Sequence, residues 1–172
     1  MDQNKNIEIR LATPEEAEVI AALLYESFVE YKFLYTQHAF AATTPGVIEI
    51  KERINSKTVW VAVCNNKIAG TISLVSSGPD FWIRSVAVAT DERGRGIGKA
   101  LMTRAEQLAS KKGFHSLKLT TTPFLYAATR LYESFDFKQC GHDDLYGTPL
   151  IKMTKNLERS SKNKINKNDY AK

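Results

Sequence analysis

Apolar and polar residues alternate over residues 7–11 (IEIRL), the period of two expected of a half-buried strand. Thr13-Pro14-Glu15-Glu16 follows, a Thr-x-x-Glu capping box with proline at the first helical position, and predicts a helix start. Ala17, Ile20, Ala21, Leu24 and Phe28 recur three and four apart, which places one apolar stripe on that helix. The stretch 25–40, YESFVEYKFLYTQHAF, is unusually aromatic for a surface helix. Thr43-Thr44-Pro45-Gly46 then breaks the pattern, and residues 47–54 predict a second short helix.

Three strand patterns come next, over 58–64 (TVWVAVC), 67–76 (KIAGTISLVS) and 81–89 (FWIRSVAVA). Asn65-Asn66, residues that tolerate positive φ, predicts a tight hairpin between the first two, and Ser77-Gly78-Pro79-Asp80 joins the second to the third. The reading is an antiparallel meander. A helix over 96–112 carries Ile97, Leu101, Ala105 and Leu108 on one stripe, with Lys111 and Lys112 at its negative end and Gly113 as its stop. A strand over 117–121, a short helix with Ala128, Leu131, Tyr132 and Phe135 on one face, and a strand over 150–154 complete the order. There are no internal repeats, and the order predicts a mixed sheet with helices packed on it.

Composition narrows the class. The chain has 172 residues, 43% hydrophobic and 25% charged, which suits one folded domain and excludes disordered, collagen-like and disulfide-scaffold chains. No apolar run approaches the ~20 residues of a membrane helix. The polar start, MDQNKNIEIR, has no apolar signal core, so a cytoplasmic location and no membrane partner are expected. Cys64 and Cys140 lie far apart and match no CxxC spacing, so reduced thiols are expected rather than a disulfide, and no metal site.

The net charge of +5 suggests a nucleic-acid partner until it is located. Residues 155–172 (KNLERSSKNKINKNDYAK) hold six basic and two acidic residues, a net of +4, so the body over 1–154 is at +1. The excess belongs to a polar tail with too few apolar residues to fold alone, read as a disordered extension of a domain spanning 1–154. A nucleic-acid role would require affinity that falls steeply with salt and vanishes with that tail; no nucleic-acid partner is expected.

One segment carries chemistry: Val86-Ala87-Val88-Ala89-Thr90-Asp91-Glu92-Arg93-Gly94-Arg95-Gly96-Ile97-Gly98-Lys99 runs from a strand through a glycine-rich turn into a helix. Such a turn aims free backbone N–H groups and the positive end of the helix dipole at one spot, which suits phosphate. Arg93, Arg95 and Lys99 add charge. The nucleoside-triphosphate loop G-x-x-x-x-G-K-[ST] fails, because Arg93 stands where its first glycine belongs and Ala100 where the hydroxyl belongs. The dinucleotide motif G-x-G-x-x-G fails too, since Gly94, Gly96 and Gly98 are spaced G-x-G-x-G.

The segment resembles the signature of the GNAT superfamily of acyl-CoA-dependent N-acetyltransferases. Arg93-Gly94-Arg95-Gly96-Ile97-Gly98 matches every fixed position of [RQ]-x-x-G-x-[GA], and Val86-Ala87-Val88 resembles the family's L-x-V strand end. A second signature, N-x-x-A-x-x-L-Y-E-x-x-G-F, is partly present as Leu125-x-x-Ala128-x-x-Leu131-Tyr132-Glu133-x-x-Asp136-Phe137. The likeness covers residues 7–154 and implies a single-domain GNAT fold of the α/β (α+β) class, with a mixed, mostly antiparallel sheet of about six or seven strands flanked by helices.

The resemblance also implies roles. The amides of residues 93–99 would hold the pyrophosphate of acetyl-CoA, and the main chain of Val86, Ala87 and Val88 would pair with the pantetheine arm as an added strand. The Val86 N–H would polarise the thioester carbonyl, and Tyr132 would be the general acid that protonates the departing thiolate. Read without the family, Tyr132 shares a face with Ala128, Leu131 and Phe135 and reads as a core residue. Acetyl-CoA would be co-substrate, a primary amine the acceptor, and the chain a monomer or homodimer.

Two positions depart from the pattern: Leu125 replaces the asparagine, and Asp136 replaces a glycine whose left-handed turn aspartate can also adopt. Many relatives place a carboxylate base four residues before the L-x-V leucine; here that position is Trp82. The remaining base candidates are Glu26, Glu30, His38 and a loop containing His142, Asp143 and Asp144, while His115 reads as structural. Tyr25, Phe28, Tyr31, Phe33, Tyr35 and Trp82 would line an apolar acceptor pocket or fill the core. No cysteine with a positioned histidine supports a covalent acyl-enzyme, so direct attack in a ternary complex is expected. A non-catalytic acyl-CoA sensor is the alternative.

Overall fold

The structure, a computed structural model, describes residues 6–157. Seven strands form one sheet: β1 (Glu8–Leu11), β2 (Val59–Cys64), β3 (Lys67–Ser77), β4 (Asp80–Val88), β5 (Ser116–Thr121), β6 (Lys138–Leu145) and β7 (Thr148–Asn156). Their order is β1-β2-β3-β4-β5-β7-β6, and every neighbouring pair is antiparallel except β4 with β5. The expected mixed, mostly antiparallel sheet is present.

Local chemistry explains several elements. Glu16 accepts the Thr13 amide at 2.8 Å, and Arg10 holds the same carboxylate, so the capping box fixes the turn Pro14–Glu16 that feeds helix α1 (Ala17–Phe28). Asn65 and Asn66 both have positive φ, 48° and 60°, as a two-residue hairpin between twisted strands requires. Asp136 takes the left-handed conformation at φ 63° in place of the family's glycine.

Helices cover both faces. Helices α1 and α3 (Val47–Asn55) bury Ala17, Ile20, Leu24, Ile50 and Ile54 against Val59, Val61 and Ala87 on one side. On the other, α4 (Ile97–Lys111) buries Ile97, Leu101, Met102 and Ala105 against Ile72, Ile83, Leu117 and Leu119, and α5 (Tyr126–Glu133) adds Tyr132 to that cluster. Each large aliphatic side chain taken fully from water contributes about 1.5–3 kcal/mol, so these two layers hold the sheet in place.

The structure corrects three expectations. His142, Asp143 and Asp144 are not in a loop but in β6, an edge strand. The aromatic stretch is not one continuous helix: α1 ends at Phe28, a 3-10 turn covers Val29–Leu34, and helix α2 (Gln37–Thr43) follows, capped by the Thr36 hydroxyl on the Ala39 amide at 3.2 Å. The last strand runs to Asn156 and Leu157 packs on the core, so the domain extends past 154. The rest of the basic tail lies outside the described residues.

Candidate functional site

The glycine-rich turn leaves β4, makes a short 3-10 turn over Thr90–Glu92 and enters α4 at Gly96. Gly96 has φ 82° and Gly94 φ 77°, a conformation that costs an L side chain energy and glycine almost none. The first amide bonded within the helix is that of Ala100, to the Gly96 carbonyl at 2.9 Å; the amides of residues 93–99 donate to no backbone carbonyl among the described residues. A Cβ built on Gly94 or Gly96 would meet nothing within 4 Å, so the turn faces open space. Free amides, open space and the positive end of a 15-residue helix make a concave donor surface that fits a pyrophosphate.

The basic side chains are deployed less directly. Arg93 turns back to α1, with Nη1 3.0 Å from Glu30 and Nη2 3.4 Å from the Ser27 carbonyl. Arg95 pairs with Glu92 at 2.9 Å. Lys99 is exposed and has no ion-pair partner among the described residues. Two of the three basic side chains of the turn are thus engaged by its own surroundings, and Arg93 anchors the turn to the end of α1.

Beside the turn the sheet forks. Strands β4 and β5 pair at only two positions, Phe81 with Leu117 and Trp82 with Lys118. Three residues further on, Ser85 sits at φ 50° in a bulge, where the register with β3 slips between Arg84 and Ala87. Because the Ala89 amide bonds across to Ala69 of β3 at 2.8 Å, alternation turns the N–H and C=O of Val86 and Val88 away from β3, toward the fork. The Ser27 hydroxyl gives the Val88 carbonyl a single long hydrogen bond of 3.4 Å. An unpaired edge of this kind accepts an extended guest as a further strand.

Helix α5 closes one face of the fork. A Cβ on Gly98 would lie 3.0 Å from Leu131 Cδ2, so the first turn of α4 touches α5 directly. Tyr132 belongs to the apolar cluster on the α4 face, against which Val86, Val88 and Leu131 also pack. Its ring is 6% exposed, and its hydroxyl has no hydrogen-bond partner among the described residues. Burial pushes the phenol well above its ordinary value, and the neighbouring Tyr35 pushes the same way, so Tyr132 stays protonated through the neutral range.

At the open end of the fork an aromatic roof joins α1 to the β5–α5 loop. Tyr35 meets Phe124 edge-on at 4.9 Å and Phe40 at 6.0 Å, while Tyr31 stacks on Phe124 at 6.3 Å. Burial raises the Tyr35 phenol, an effect the nearby Thr122 hydroxyl partly offsets. Thr36 binds the roof to the β6–β7 turn, its amide donating to Thr148 at 3.0 Å and its hydroxyl to the Tyr146 carbonyl at 2.7 Å. Of the aromatics expected to line a pocket, Phe33 instead projects into solvent at 82% exposure, and Trp82 stands apart between Arg84 and Lys118. Sequence reasoning missed Ser27, Thr122 and the Ser85 bulge, none of which carries a local signal.

The base candidates separate by their partners. Glu30 is held by Arg93, Asp143 by Lys152 at 3.4 Å, and Asp144 accepts the Gly147 amide at 2.8 Å. Glu26 is exposed on α1, and the His38 ring lies 6.1 Å from that of Tyr146. Among the described residues no cluster of three His, Cys, Asp or Glu could hold a metal ion.

A forked mixed sheet with a donor-rich turn at its mouth defines a class of coenzyme-binding acyltransferase folds. The model of the Acetyltransferase (GNAT) family matches residues 20–137, and the chain belongs to that family. Among curated relatives, N-acetylaspartate synthetase of Danio rerio is 34% identical over 92 residues, 52% of this chain and 33% of the relative. N-acetyltransferase family 8 member 3 of Rattus norvegicus is 31% identical over 88 residues, 48% of this chain and 39% of the relative. The matched segment thus spans about a third of the length of these relatives. The crystal structure of the PaiA N-acetyltransferase of Thermoplasma acidophilum with coenzyme A is similar at TM-score 0.74 and 20% identity, covering 88% of this chain and 99% of that one. It shows the shared fold.

Proposed function

We propose that the protein transfers an acetyl group from acetyl-CoA to a primary amine by direct attack. One observation supports this reading: the amides of 93–99, which donate to no backbone carbonyl among the described residues, and the edge of Val86 and Val88 turned away from β3 lie on segments that pack into the same apolar cluster as Tyr132. The amides of Arg93, Gly94, Arg95, Gly96, Ile97, Gly98 and Lys99 would hold the pyrophosphate, and Val86, Ala87 and Val88 would supply the strand edge for the pantetheine arm.

When bound, acetyl-CoA supplies an acetyl thioester activated toward amines. The Val86 N–H faces the fork, where it can donate to the thioester carbonyl oxygen as negative charge builds there. Tyr132 would keep its proton while the N–C bond forms, give it to the sulfur as the C–S bond breaks, and be reprotonated by the second proton that the acetylated nitrogen sheds. The amine must shed one proton first, and Glu26, His38 and His142 are the candidates whose side chains are not already engaged by a cation or a turn amide, His142 meeting only the Gln139 side chain at 3.3 Å. Both cysteines are unpaired, Cys64 buried and Cys140 exposed, which suits a reducing, cytoplasmic setting. Among the described residues no helix is long and apolar enough to cross a membrane.

The test is calorimetric titration with acetyl-CoA, followed by thiol release with a panel of amines. Micromolar binding and amine-dependent thiol release are expected; absence of binding at that level refutes the reading. Trp82 in the usual base position favours one rival, a non-catalytic acyl-CoA sensor, which would bind acetyl-CoA but release no thiol with any amine.

A further inference from the structure

We propose that Arg84 binds a carboxylate of the acceptor, so that the acceptor class is an amine that also carries a carboxylate. The inference rests on the acetyl-transfer reading and deepens it. Helices α4 and α5 close one face of the fork, which leaves the acceptor the other face. Trp82, Arg84 and Lys118 share that second face: the Arg84 guanidinium lies 5.9 Å from the Trp82 ring and the Lys118 ammonium 6.0 Å from it. Arg53 reaches the same surface from α3, donating to the Ser85 hydroxyl at 3.1 Å.

The charges on this face are sorted. Arg53 is matched by Glu49, and Lys118 by Asp80 at 2.8 Å, an ion pair that holds the Asp80 carboxyl below its usual range. Arg84 is exposed and has no acidic partner among the described residues. Strand β4 presents no carboxylate beyond Asp80, so a polycationic acceptor would meet an unmatched cation where it needs an acid. A planar guanidinium grips a carboxylate through two parallel N–H donors, and the adjacent indole offers an apolar wall for the rest of an amino acid. Arg84 lies two residues before Val86 across the Ser85 bulge, at most about 7 Å along the chain, which is the scale of the separation between an amine at the thioester and a carboxylate on the same small molecule.

The experiment compares aspartate, leucine and phenylalanine with leucinamide, phenylalaninamide and spermidine as acceptors in the thiol-release assay. The free acids are expected to exceed their amides in kcat/KM by at least tenfold. Arg84→Gln should collapse that ratio toward one through the acceptor KM, with the KM for acetyl-CoA unchanged, and Arg84→Lys should restore part of it. Amides or spermidine matching the acids, or an acid preference that survives Arg84→Gln, overturns the proposal. If no amine is turned over, the acetyl-transfer reading fails separately. Calorimetry of the CoA-saturated protein with N-acetylleucine and N-acetylleucinamide then decides: tighter binding of the acid that Arg84→Gln abolishes supports the site, and equal binding refutes it.

Discussion

Replacing Tyr132 with phenylalanine removes one oxygen from the centre of the proposed machinery. The ring is buried in the α4–α5 cluster, and its hydroxyl has no hydrogen-bond partner among the described residues, so the substitution orphans no donor or acceptor. Stability should change by no more than about 1 kcal/mol in either direction. The catalytic effect is larger. General acids contribute roughly 10²–10⁴-fold, and a thiolate with a pKa near 8.5 leaves well enough that the low end applies. A fall in kcat of about 100-fold is expected, equivalent to about 2.7 kcal/mol of barrier. Steady-state thiol release gives kcat, calorimetry gives acetyl-CoA affinity, and a urea titration confirms the fold. A drop in kcat under threefold refutes the acid role, and a loss of cofactor affinity equal to the loss of rate makes Tyr132 a binding residue instead.

Three further outcomes follow from the same geometry. Gly96→Ala forces an L residue to φ 82° with no steric contact, a strain of about 1–2 kcal/mol; the melting temperature should fall by about 2–8 °C and acetyl-CoA affinity by tenfold or more, and unchanged affinity refutes the turn's role. Gly70→Ala in β3 brings a Cβ to 2.9 Å from Ile97 Cγ2 and 3.1 Å from the Ala87 carbonyl; it should cost about 1–3 kcal/mol in urea unfolding, and an unshifted midpoint refutes the tight seat of α4 on the sheet. Tyr132 has a phenol raised above the value near 10 that it has when unfolded, so its contribution to stability is present below pH 10 and lost as pH rises beyond it; the urea midpoint should drop between pH 9 and 11, and less so in Tyr132→Phe.

Elements with a local signature were readable from the chain. The Thr13 capping box, the Asn65-Asn66 hairpin, the glycine turn into α4 and the left-handed Asp136 each depend on a few adjacent residues, and each is found where those residues predict it. Strand β6 escaped because KQCGHDDL shows no apolar alternation: it is an edge strand, exposed along most of its length, held by its ladder to β7. The break between α1 and α2 escaped because the seven residues of α2 are set by the Thr36 cap and by docking on the β6–β7 turn. The fork was legible only through resemblance, since the bulge that opens it puts a serine at positive φ, which nothing in FWIRSVAV announces. Arg93 was assigned to phosphate as a cation, yet its partners Glu30 and Ser27 lie more than 60 residues away in sequence.

The fork has a thermodynamic reach beyond the reaction. With only two residue pairs joining β4 to β5, the sheet is close to two half-sheets, one of β1 to β4 and one of β5 to β7, joined largely through α4 and α5. A guest strand laid in the gap would knit the halves together, and whatever binds only the folded chain stabilises it by mass action, about 2.7 kcal/mol at a hundredfold excess over Kd. The coenzyme would then act as a structural keystone as well as a reactant. Heat resistance and resistance to proteolysis would rise and fall with the acyl-CoA supply, so that the lifetime of the catalyst follows the abundance of its fuel.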